Sequence, residues 1–485
     1  KMLGTRRLLR RYCKFFDNPQ DAIADITPGS TIAVGGYRSC GVPENLLRAM
    51  RDLGSYDLGI YSMSSGQKNF GLDLLLQARQ MKRLTTTYLE HGSLAYNEWK
   101  SGSIELDILP EGTLADKIRA GGAGIPGFYT KTGVGTGFEE GGFPIKYMTG
   151  GKRVEIFSGP KDKRSFEGED HLFEESIRTQ FSFIKAWKAD TQGNLIYHRT
   201  ARNFNPEMAM CSKITIAEVE EIVEVGQLDP DHVITPSIFV HRLIKGEKYE
   251  KPIENLVEEG TESPIDDPDK LKIGHRALKE IKEGMYIHLG IGIPNSVVFR
   301  LIPDKSKVRI MTIPGALGVG GHASKGQADP DLINALRETI RLNPGSSVFS
   351  SCDSMNIMRG GHLDLIMMGA YEVSQTGDVA NWDLEGDNEK GIGASMDLVS
   401  SRKSRLIILT THTRNGRPKI VDECNLSSIT GKGVVDTLIT ELGVFEFKRE
   451  GGMTLTEIAR GVSVDSVQAN TGCKFNVASD LKKMD

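Results

Sequence analysis

The feature that most limits the fold of this chain is a pattern of parts that occurs twice. Each copy has a short β-rich apolar run, a glycine-rich loop and a proline that opens an amphipathic stretch. The first copy reads GSTIAVGGYRSCGVPENLLRAM (Gly29–Met50), and the second reads GMYIHLGIGIPNSVVFRLI (Gly284–Ile302). Pro43 and Pro294 suit the first turn of a helix, where a missing N–H is tolerated. Two strand–loop–helix units in matching positions predict a duplicated α/β domain.

Further apolar runs predict the type of sheet. LIMMGAYEV (Leu365–Val373) and SRLIILTTH (Ser404–His412) are too short for buried helices and suit central strands. They alternate with helical patterns such as GTLADKIRAGG (Gly112–Gly122). We therefore expect an α/β fold with open mixed sheets and flanking helices.

An acidic stretch that contains prolines divides the chain near its middle. Residues 251–270 include seven acidic residues, three prolines and few apolar residues. Such a segment buries too little to fold alone, so we interpret it as an exposed linker. The predicted organisation is a basic leader over residues 1–13, an N-terminal domain over 14–246, a linker over 247–270 and a C-terminal domain over 271–485.

The first residues differ in composition from the rest of the chain. Residues 1–16 include six basic residues and no acidic residue. An arginine-rich, acid-free, amphipathic segment is typical of a mitochondrial transit peptide, and a solvated basic tail is the alternative. The net charge is −4, no apolar run reaches 18 residues, and the six cysteines form no C-x-x-C pair. We therefore expect reduced thiols, no nucleic-acid partner and no membrane span.

The stretch VRIMTIPGALGVGG (Val308–Gly321) is typical of a buried strand that ends in a tight glycine loop. Loops at the carboxyl ends of strands form the sites of open α/β folds. This loop has no strong acid or base, since no Asp or Glu occurs between Asp304 and Asp329. Neither half has a Walker loop or a dinucleotide-binding G-x-G-x-x-G, and no His/Cys group has metal-ligand spacing. The residues alone indicate a two-domain α/β protein with glycine-rich site loops and no metal.

Longer strings match one family in order, along nearly the whole chain after about Lys14. They include VGGYRSCGVPENLL (Val34–Leu47), KAWKADTQGN, VHRLIKGEKYEK, HLGIGIP, DPDLINALRETI, MRGGHLDL and GASMDLVSS. In these strings the chain resembles the class I coenzyme A transferases, and above all their fused mitochondrial members that act on succinyl-CoA and 3-ketoacids. The resemblance implies two tandem coenzyme A transferase domains that face each other, with the site in the cleft between them.

The resemblance also implies a covalent mechanism. A glutamate attacks the acyl-CoA thioester to form a mixed anhydride, CoA thiolate converts this to a glutamyl-CoA thioester, and an incoming carboxylate reverses the steps. The family's second signature, Ser-Glu-Asn-Gly, aligns with Thr312-Ile313-Pro314-Gly315. Ile313 then stands at the position of the nucleophilic glutamate, and Pro314 at that of the asparagine. The Thr312 hydroxyl has no evident base and would form an ester that does not exchange as an anhydride does.

Three further positions depart from the family. Met63 stands in YSMSSG where the family has an asparagine, Glu111 stands in PEGT where it has a glutamine, and Ala394 stands in GIGASMDL where it has a glycine. An ionised Glu111 would repel an oxyanion that a glutamine stabilises. We expect Met63, Glu111 and Ile313 to approach one another in the cleft. The glycines expected to line the cleft are Gly35, Gly36, Gly41, Gly290, Gly292, Gly315, Gly318, Gly320, Gly391 and Gly393.

The expected function follows from a framework that resembles the family and a site that departs from it. We expect a catalytically impaired homologue, retained as a structural or assembly component of a complex in the mitochondrial matrix. The alternatives are an active enzyme that moves CoA from succinyl-CoA to acetoacetate, and a CoA-binding partner subunit of an active paralogue. The resemblance implies no required cofactor, coenzyme A or an acyl-CoA as a residual ligand, and a homodimer or a heteromer with a paralogue.

Overall fold

The computed structural model describes residues 13–90, 92–382, 391–425, 428–448 and 452–484. The predicted leader over residues 1–13 lies outside the described residues, except for Cys13. Within these ranges no helix combines the length and the apolar character that a membrane span needs. All six cysteines are buried and unpaired, as expected of reduced thiols.

The first half of the chain builds a largely parallel sheet. Its strands are β1 (Lys14–Phe16), β2 (Thr31–Val34), β3 (Leu58–Tyr61), β4 (Met81–Thr86), β5 (Glu105–Ile108), β6 (Gly127–Thr130), β7 (Pro144–Tyr147), β8 (Val154–Phe157), β9 (Lys163–Phe166), β10 (Glu169–Glu175), β11 (Thr179–Asp190), β12 (Leu195–Ile196), β13 (Ser212–Val223) and β14 (Arg242–Lys245). Nine of them form one sheet in the order β1-β14-β13-β11-β2-β3-β4-β5, with β12 antiparallel beside β11. Every other pair in this sheet is parallel, so the carboxyl ends of its strands share one edge.

The described part of the second half builds a ten-stranded mixed sheet, a four-stranded sheet and a two-stranded sheet. Its strands are β15 (Tyr286–Leu289), β16 (Arg309–Thr312), β17 (Ala316–His322), β18 (Ile340–Val348), β19 (Leu365–Met368), β20 (Glu372–Ser374), β21 (Val379–Ala380), β22 (Arg405–Leu409), β23 (Thr413–Arg414), β24 (Arg417–Pro418), β25 (Ile420–Val421), β26 (Ile429–Gly431), β27 (Thr437–Ile439), β28 (Gly443–Lys448), β29 (Gly452–Ala459) and β30 (Asn476–Met484). The order of the strands in the ten-stranded sheet is β18-β17-β16-β15-β19-β22-β27-β28-β29-β30. The five strands from β16 to β27 are parallel. Antiparallel pairs extend the sheet through β17 and β18 on one side and through β28 and β29 on the other, and β30 is parallel to β29.

Helices flank both sheets. They are α1 (Pro19–Ile23), α2 (Glu44–Leu53), α3 (Asp73–Gln77), α4 (Leu94–Lys100), α5 (Glu111–Ala123), α6 (Gly137–Glu140), α7 (Asn205–Met210), α8 (Pro268–Leu278), α9 (Phe299–Leu301), α10 (Ser351–Arg359), α11 (Ser395–Val399) and α12 (Val464–Ala469). The two predicted strand–loop–helix units are present as β2 to α2 and β15 to α9. Pro43 directly precedes α2, whereas Pro294 opens a π-helical turn that continues into α9.

The cores of the two halves interlock. The main hydrophobic cluster of the first half also contains Trp382, Ile392 and Met396 from the second half. The side chain of Tyr37 packs against this cluster and against one of the clusters of the second half. Apolar packing therefore joins the two halves directly.

The acidic stretch between the halves is not a free tether. Lys251 contacts Glu220 of the first half at 2.5 Å and Asp331 of the second half at 2.7 Å. The Glu254 side chain is 8% exposed and contacts Arg337 at 3.1 Å. The interpretation of an exposed linker therefore needs correction at residues 251–254, because ion pairs hold a segment that has few apolar residues of its own.

The central strand β11 provides a test of this packing. Phe183 is 0% exposed in β11, whereas Phe157 is 58% exposed in β8. We expect Phe183→Ala to lower the free energy of unfolding by about 3–5 kcal/mol, because it leaves a cavity in a closed core. The matched control Phe157→Ala should change it by less than about 0.5 kcal/mol. Denaturant titrations of both variants check this, and equal costs would contradict the described core.

Candidate active site

Four adjacent parallel strands bring loop residues of the first half to one edge of its sheet. β2 is followed by Gly35 and the loop that contains Arg38, β3 by Met63, β4 by Thr87 and β5 by Glu111. Ligand sites of open α/β sheets lie at this carboxyl edge. The predicted positions Met63 and Glu111 therefore share an edge with the first glycine loop.

Hydrogen bonds connect Met63 and Glu111 with the Gly391–Gly393 loop of the second half. The Thr87 hydroxyl donates to the Met63 carbonyl at 2.8 Å, and the Gly393 amide donates to the Thr87 carbonyl at 2.9 Å. The Glu111 amide donates to the Gly393 carbonyl at 3.0 Å. A chain of hydrogen bonds through Thr87 and Gly393 thus connects the backbones of Met63 and Glu111, and the second half supplies one of its links.

Ile313 lies at the carboxyl edge of the second sheet. β15 and β16 are adjacent and parallel with His288 opposite Met311, so Gly290 and Ile313 leave the sheet side by side. The Ile313 side chain is 7% exposed and belongs to an apolar cluster that also contains Ala394. The predicted nucleophile position is therefore occupied by a buried alkyl group among apolar neighbours.

Tyr37 interacts both with this cluster and, through electrostatics, with Glu111. Its ring packs against the cluster that contains Ile313. Burial raises the pKa of the Tyr37 phenol, and the negative charge of an ionised Glu111 would raise it further. Tyr37 thus packs against the cluster that contains Ile313 and responds to the charge of Glu111, whereas a direct approach of Ile313 to Met63 and Glu111 stays a prediction.

The loop that contains Ile313 is the turn of an antiparallel hairpin. Thr312 at the end of β16 pairs with Ala316 at the start of β17, and the Gly315 amide donates to the Thr312 carbonyl at 3.1 Å. The Thr312 side chain is 4% exposed, and its oxygen accepts from the Ala335 amide at 3.0 Å. This hydroxyl therefore holds a neighbouring segment in place.

The carboxyl group of Glu111 is buried at the start of α5. Its side chain is 4% exposed, and Oε1 has no hydrogen-bond partner among the described residues. Burial raises the pKa of Glu111 to about 8; the charge of Asp397 also raises it, and that of Arg38 lowers it. With this pKa, most of the Glu111 carboxyl is protonated at neutral pH and can donate a hydrogen bond. The repulsion of an oxyanion by ionised Glu111 stays a prediction, and it applies above about pH 8.

Asp397 of the second half lies at the N-terminus of the same helix. Its Oδ2 accepts from the Gly112 amide at 2.8 Å, and its Oδ1 accepts from the Thr132 hydroxyl at 3.1 Å. Burial raises the pKa of Asp397 to about 6 although Arg359 opposes this. An anion is favourable at the N-terminus of a helix. A carboxyl group of one half therefore caps a helix of the other.

The predicted site glycines fall into two groups. Most of them pack so closely that an added Cβ would meet neighbouring protein atoms, whereas Gly292 and Gly393 have room for one. Contact of any of them with a ligand stays a prediction. The glycines whose Cβ would meet an atom within 3.2 Å are Gly35, Gly36, Gly41, Gly290, Gly315, Gly318, Gly320 and Gly391.

A charged group beside Tyr37 was missed by the sequence analysis. Arg38 and Arg337 both contact the carboxylate of Glu90, and Arg337 also contacts Glu254 at 3.1 Å. We call these four residues the arginine–glutamate cluster. Its members come from two loops of the first half, the segment between the halves and the second half. An arginine within the glycine loop after β2 was the signal in the sequence.

Another group of described residues has the spacing of metal ligands. The ligand atoms of His198, Asp329 and Asp331 all lie within 4.8 Å of one another. Arg199 contacts Asp329 at 3.0 Å, and Lys251 contacts Asp331 at 2.7 Å. Since these two cations already neutralise the carboxylates, we interpret the group as an ion-pair network between the halves, and the absence of a metal stays a prediction.

The hairpin turn can be tested at a glycine pair. Gly315 has φ +108° and an added Cβ would lie 2.1 Å from the Phe349 carbonyl oxygen, whereas Gly292 has φ +98° and nothing within 4 Å. Gly292→Ala should lower the free energy of unfolding by about 1–2 kcal/mol through backbone strain alone. We expect Gly315→Ala to cost about 1–3 kcal/mol more, because the backbone must also shift. Equal costs in denaturant titrations would show that the turn is not packed as described.

The protonation of Glu111 has a consequence for stability. A folded-state pKa of about 8, above the ordinary value of 4.5, contributes stability that is fully present below pH 4.5 and lost as pH rises to about 8. Each unit of raised pKa corresponds to about 1.4 kcal/mol. The free energy of unfolding of Glu111→Gln relative to the unmodified chain should therefore rise between pH 4.5 and 8. Glu423→Gln, at an exposed position, is the control, and a difference independent of pH for Glu111→Gln would refute the raised pKa.

The amino-acid sequence of this chain is similar to that of known proteins. The family model described as coenzyme A transferase matches residues 16–246 and 271–470. Succinyl-CoA:3-ketoacid coenzyme A transferase 2A, mitochondrial, of Rattus norvegicus is 44% identical over 476 residues, which cover 97% of this chain and 91% of that protein. The corresponding transferase 2 of Homo sapiens, also mitochondrial, is 42% identical over 479 residues, which cover 98% and 92%. Both relatives have mitochondrial in their names, and a mitochondrial location of this chain, on the matrix side, stays a prediction.

A solved structure gives the same architecture. The acyl-CoA transferase from E. coli O157:H7, in a thioester complex with CoA, aligns with a TM-score of 0.78 at 20% identity and covers 98% of this chain and 95% of its own. This likeness concerns the fold, and it confirms the predicted pair of α/β domains with mixed sheets. Since the family model matches both halves and the relatives align along nearly the whole length, the chain belongs to the coenzyme A transferase family.

Proposed function

We propose that this chain is a coenzyme A transferase homologue that has lost the covalent transfer step and serves as a structural or assembly component of a mitochondrial complex. One observation carries the proposal. Ile313, the predicted position of the glutamate of the family's second signature, is buried among apolar side chains in the turn between β16 and β17. An alkyl group has no lone pair with which to attack a thioester.

The neighbouring polar groups do not replace the missing carboxylate. The Thr312 oxygen accepts a hydrogen bond from Ala335. Glu111 has a pKa of about 8, so at neutral pH most of it is a carboxylic acid, which is a poor nucleophile. Removal of a nucleophile costs roughly 10⁶-fold in turnover. This estimate supports a chain whose transfer activity is negligible.

The framework supports a role that needs the fold. The two halves share a core, Asp397 caps a helix of the other half, and relatives with 42–44% identity align along nearly the whole chain. The same identity favours a second candidate function, active transfer of CoA from succinyl-CoA to acetoacetate. A CoA-binding subunit that pairs with an active paralogue, or a homodimer, would use the same framework.

The deciding experiment restores the carboxylate. The purified chain, Ile313→Glu and the uncharged control Ile313→Gln are each incubated with acetoacetyl-CoA, and intact mass is measured for covalently attached CoA. Formation of acetoacetyl-CoA from succinyl-CoA and acetoacetate is measured in parallel. We expect no adduct and no turnover with the unmodified chain or with Ile313→Gln. A CoA adduct on Ile313→Glu would show that only the nucleophile is missing, whereas no adduct on it would show that the apolar surroundings also keep a carboxylate here from reacting.

The other outcomes separate the candidates. An adduct or turnover with the unmodified chain would refute the loss of transfer, and peptide mapping would locate the alternative nucleophile. For the structural role, the chain is recovered from mitochondria under native conditions and its companions are quantified. Partners at a fixed ratio to the chain would support an assembly component, whereas recovery only as free chain or homodimer would exclude it.

A further inference from the structure

His322, the last residue of β17, lies between two carboxylates. Its Nδ1 is 3.0 Å from Oε1 of Glu262, and its Nε2 is 3.6 Å from Oε2 of Glu338. Glu262 belongs to the segment between the halves, whereas Glu338 precedes β18 of the second half. We call these three residues the histidine–glutamate cluster. One imidazole ring therefore joins the segment to the second half.

Only a protonated ring satisfies both of these contacts. A neutral imidazole has a single N–H, whereas an ionised carboxylate can only accept a hydrogen bond. Burial tends to raise the pKa of Glu262 and of Glu338, but contact with His322 outweighs it and holds both below the ordinary value. Both carboxylates are therefore ionised at neutral pH. A ring nitrogen that lost its proton would direct a lone pair at a negative charge.

The ring is enclosed, so water does not replace a lost N–H. His322 is 7% exposed, and the Phe299 ring packs edge-on against it with the ring centroids 5.4 Å apart. Burial by itself lowers the pKa of His322, but hydrogen bonds to Glu338 and Glu262 outweigh it and raise the pKa above the ordinary value of 6.5. An enclosed cation between two anions is stable, whereas the neutral ring leaves one of the two contacts unsatisfied.

Other charged groups near the cluster come from several elements. They are Arg300 in α9, Lys305 between α9 and β16, Arg341 in β18 and Glu259 in the segment. The charge of Arg300 helps to lower the pKa of Glu338, and Lys305 interacts electrostatically with Glu262. Each carboxylate of the cluster thus has a second cation nearby when the ring is neutral. Loss of the proton therefore weakens the attachment of the segment without unfolding the second half.

The neighbouring part of the segment is attached by hydrogen bonds more than by apolar packing. The Val257 amide donates to the Thr339 hydroxyl at 3.1 Å, and the Glu259 amide donates to the Ala323 carbonyl at 2.8 Å. Leu256 is 61% exposed. Local opening requires least free energy where few apolar groups are buried. Loss of the charged contact therefore opens this part of the segment before it affects either core.

We propose that His322 makes the attachment of residues 257–262 to the second half dependent on pH. The protonated ring holds Glu262 beside Glu338, and loss of the proton frees this part of the segment. Because the pKa of His322 is raised in the folded chain, the stabilisation is fully present below about pH 6.5 and is lost as pH rises through the folded-state value. The inference does not depend on loss of the transfer step, since it concerns the attachment of a segment.

Hydrogen exchange of the full chain tests the proposal. Exchange is measured by mass spectrometry at about pH 6 and about pH 8.5, on either side of the range in which histidine ordinarily titrates. Each rate is divided by the intrinsic rate of an unfolded peptide at the same pH. We expect the protection of residues 257–262 to fall roughly tenfold at the higher pH, as for loss of one hydrogen bond between charged groups. His322→Gln and Glu262→Gln should each remove this dependence on pH.

A histidine on the surface provides the matched control. His232 is 77% exposed, and its Nδ1 is 3.6 Å from Oδ2 of Asp229. His232→Gln should leave the pH dependence of residues 257–262 unchanged, and an equal loss in this variant would overturn the proposal. Protection that is independent of pH in the unmodified chain would also overturn it. So would a pH dependence that persists in His322→Gln or in Glu262→Gln, each used where circular dichroism shows that it is folded.

Discussion

Residues 391–397 of the second half bind the carboxyl edge of the first sheet, and the geometry of the cleft depends on this contact. The Gly393 backbone exchanges hydrogen bonds with Glu111 and Thr87, and Asp397 accepts from the first turn of α5. Most of these bonds involve backbone groups, which every residue has. The cleft can therefore keep its shape whichever side chains face it, and a reacting group can be lost without loss of the fold.

Burial decides the chemistry of the groups that remain. Glu111 has an unpaired carboxyl oxygen in an enclosed position, so it is stable there as an acid and costly as an anion. A carboxylate at position 313 would meet the same penalty unless polar neighbours bonded to it. Pro314 has no N–H to offer, and Met63 has a thioether in place of an amide. In the proposed interpretation, loss of the nucleophile removes the reason to keep these neighbours polar.

Charged residues have a different role in this protein. The arginine–glutamate cluster and the network around Lys251 both join the first half, the segment between the halves and the second half. Each carboxylate in these groups is balanced by a cation from another part of the chain. Shared apolar packing joins the two halves, and these ion pairs hold the segment between the halves against both of them.

The sequence by itself determined the fold, because strand length, glycine loops and proline positions are local patterns, and ordered strings identify a family. It also determined that an isoleucine follows β16. Only the tertiary structure decided that the pKa of Glu111 is raised, since burial raises it and so does the charge of Asp397 from the other half. Likewise, only the folded chain brings Arg38, Glu90 and Arg337 together and packs most of the site glycines against protein atoms. Protonation and ion pairing depend on groups that are close in space and remote along the chain, so no local pattern in the sequence contains them.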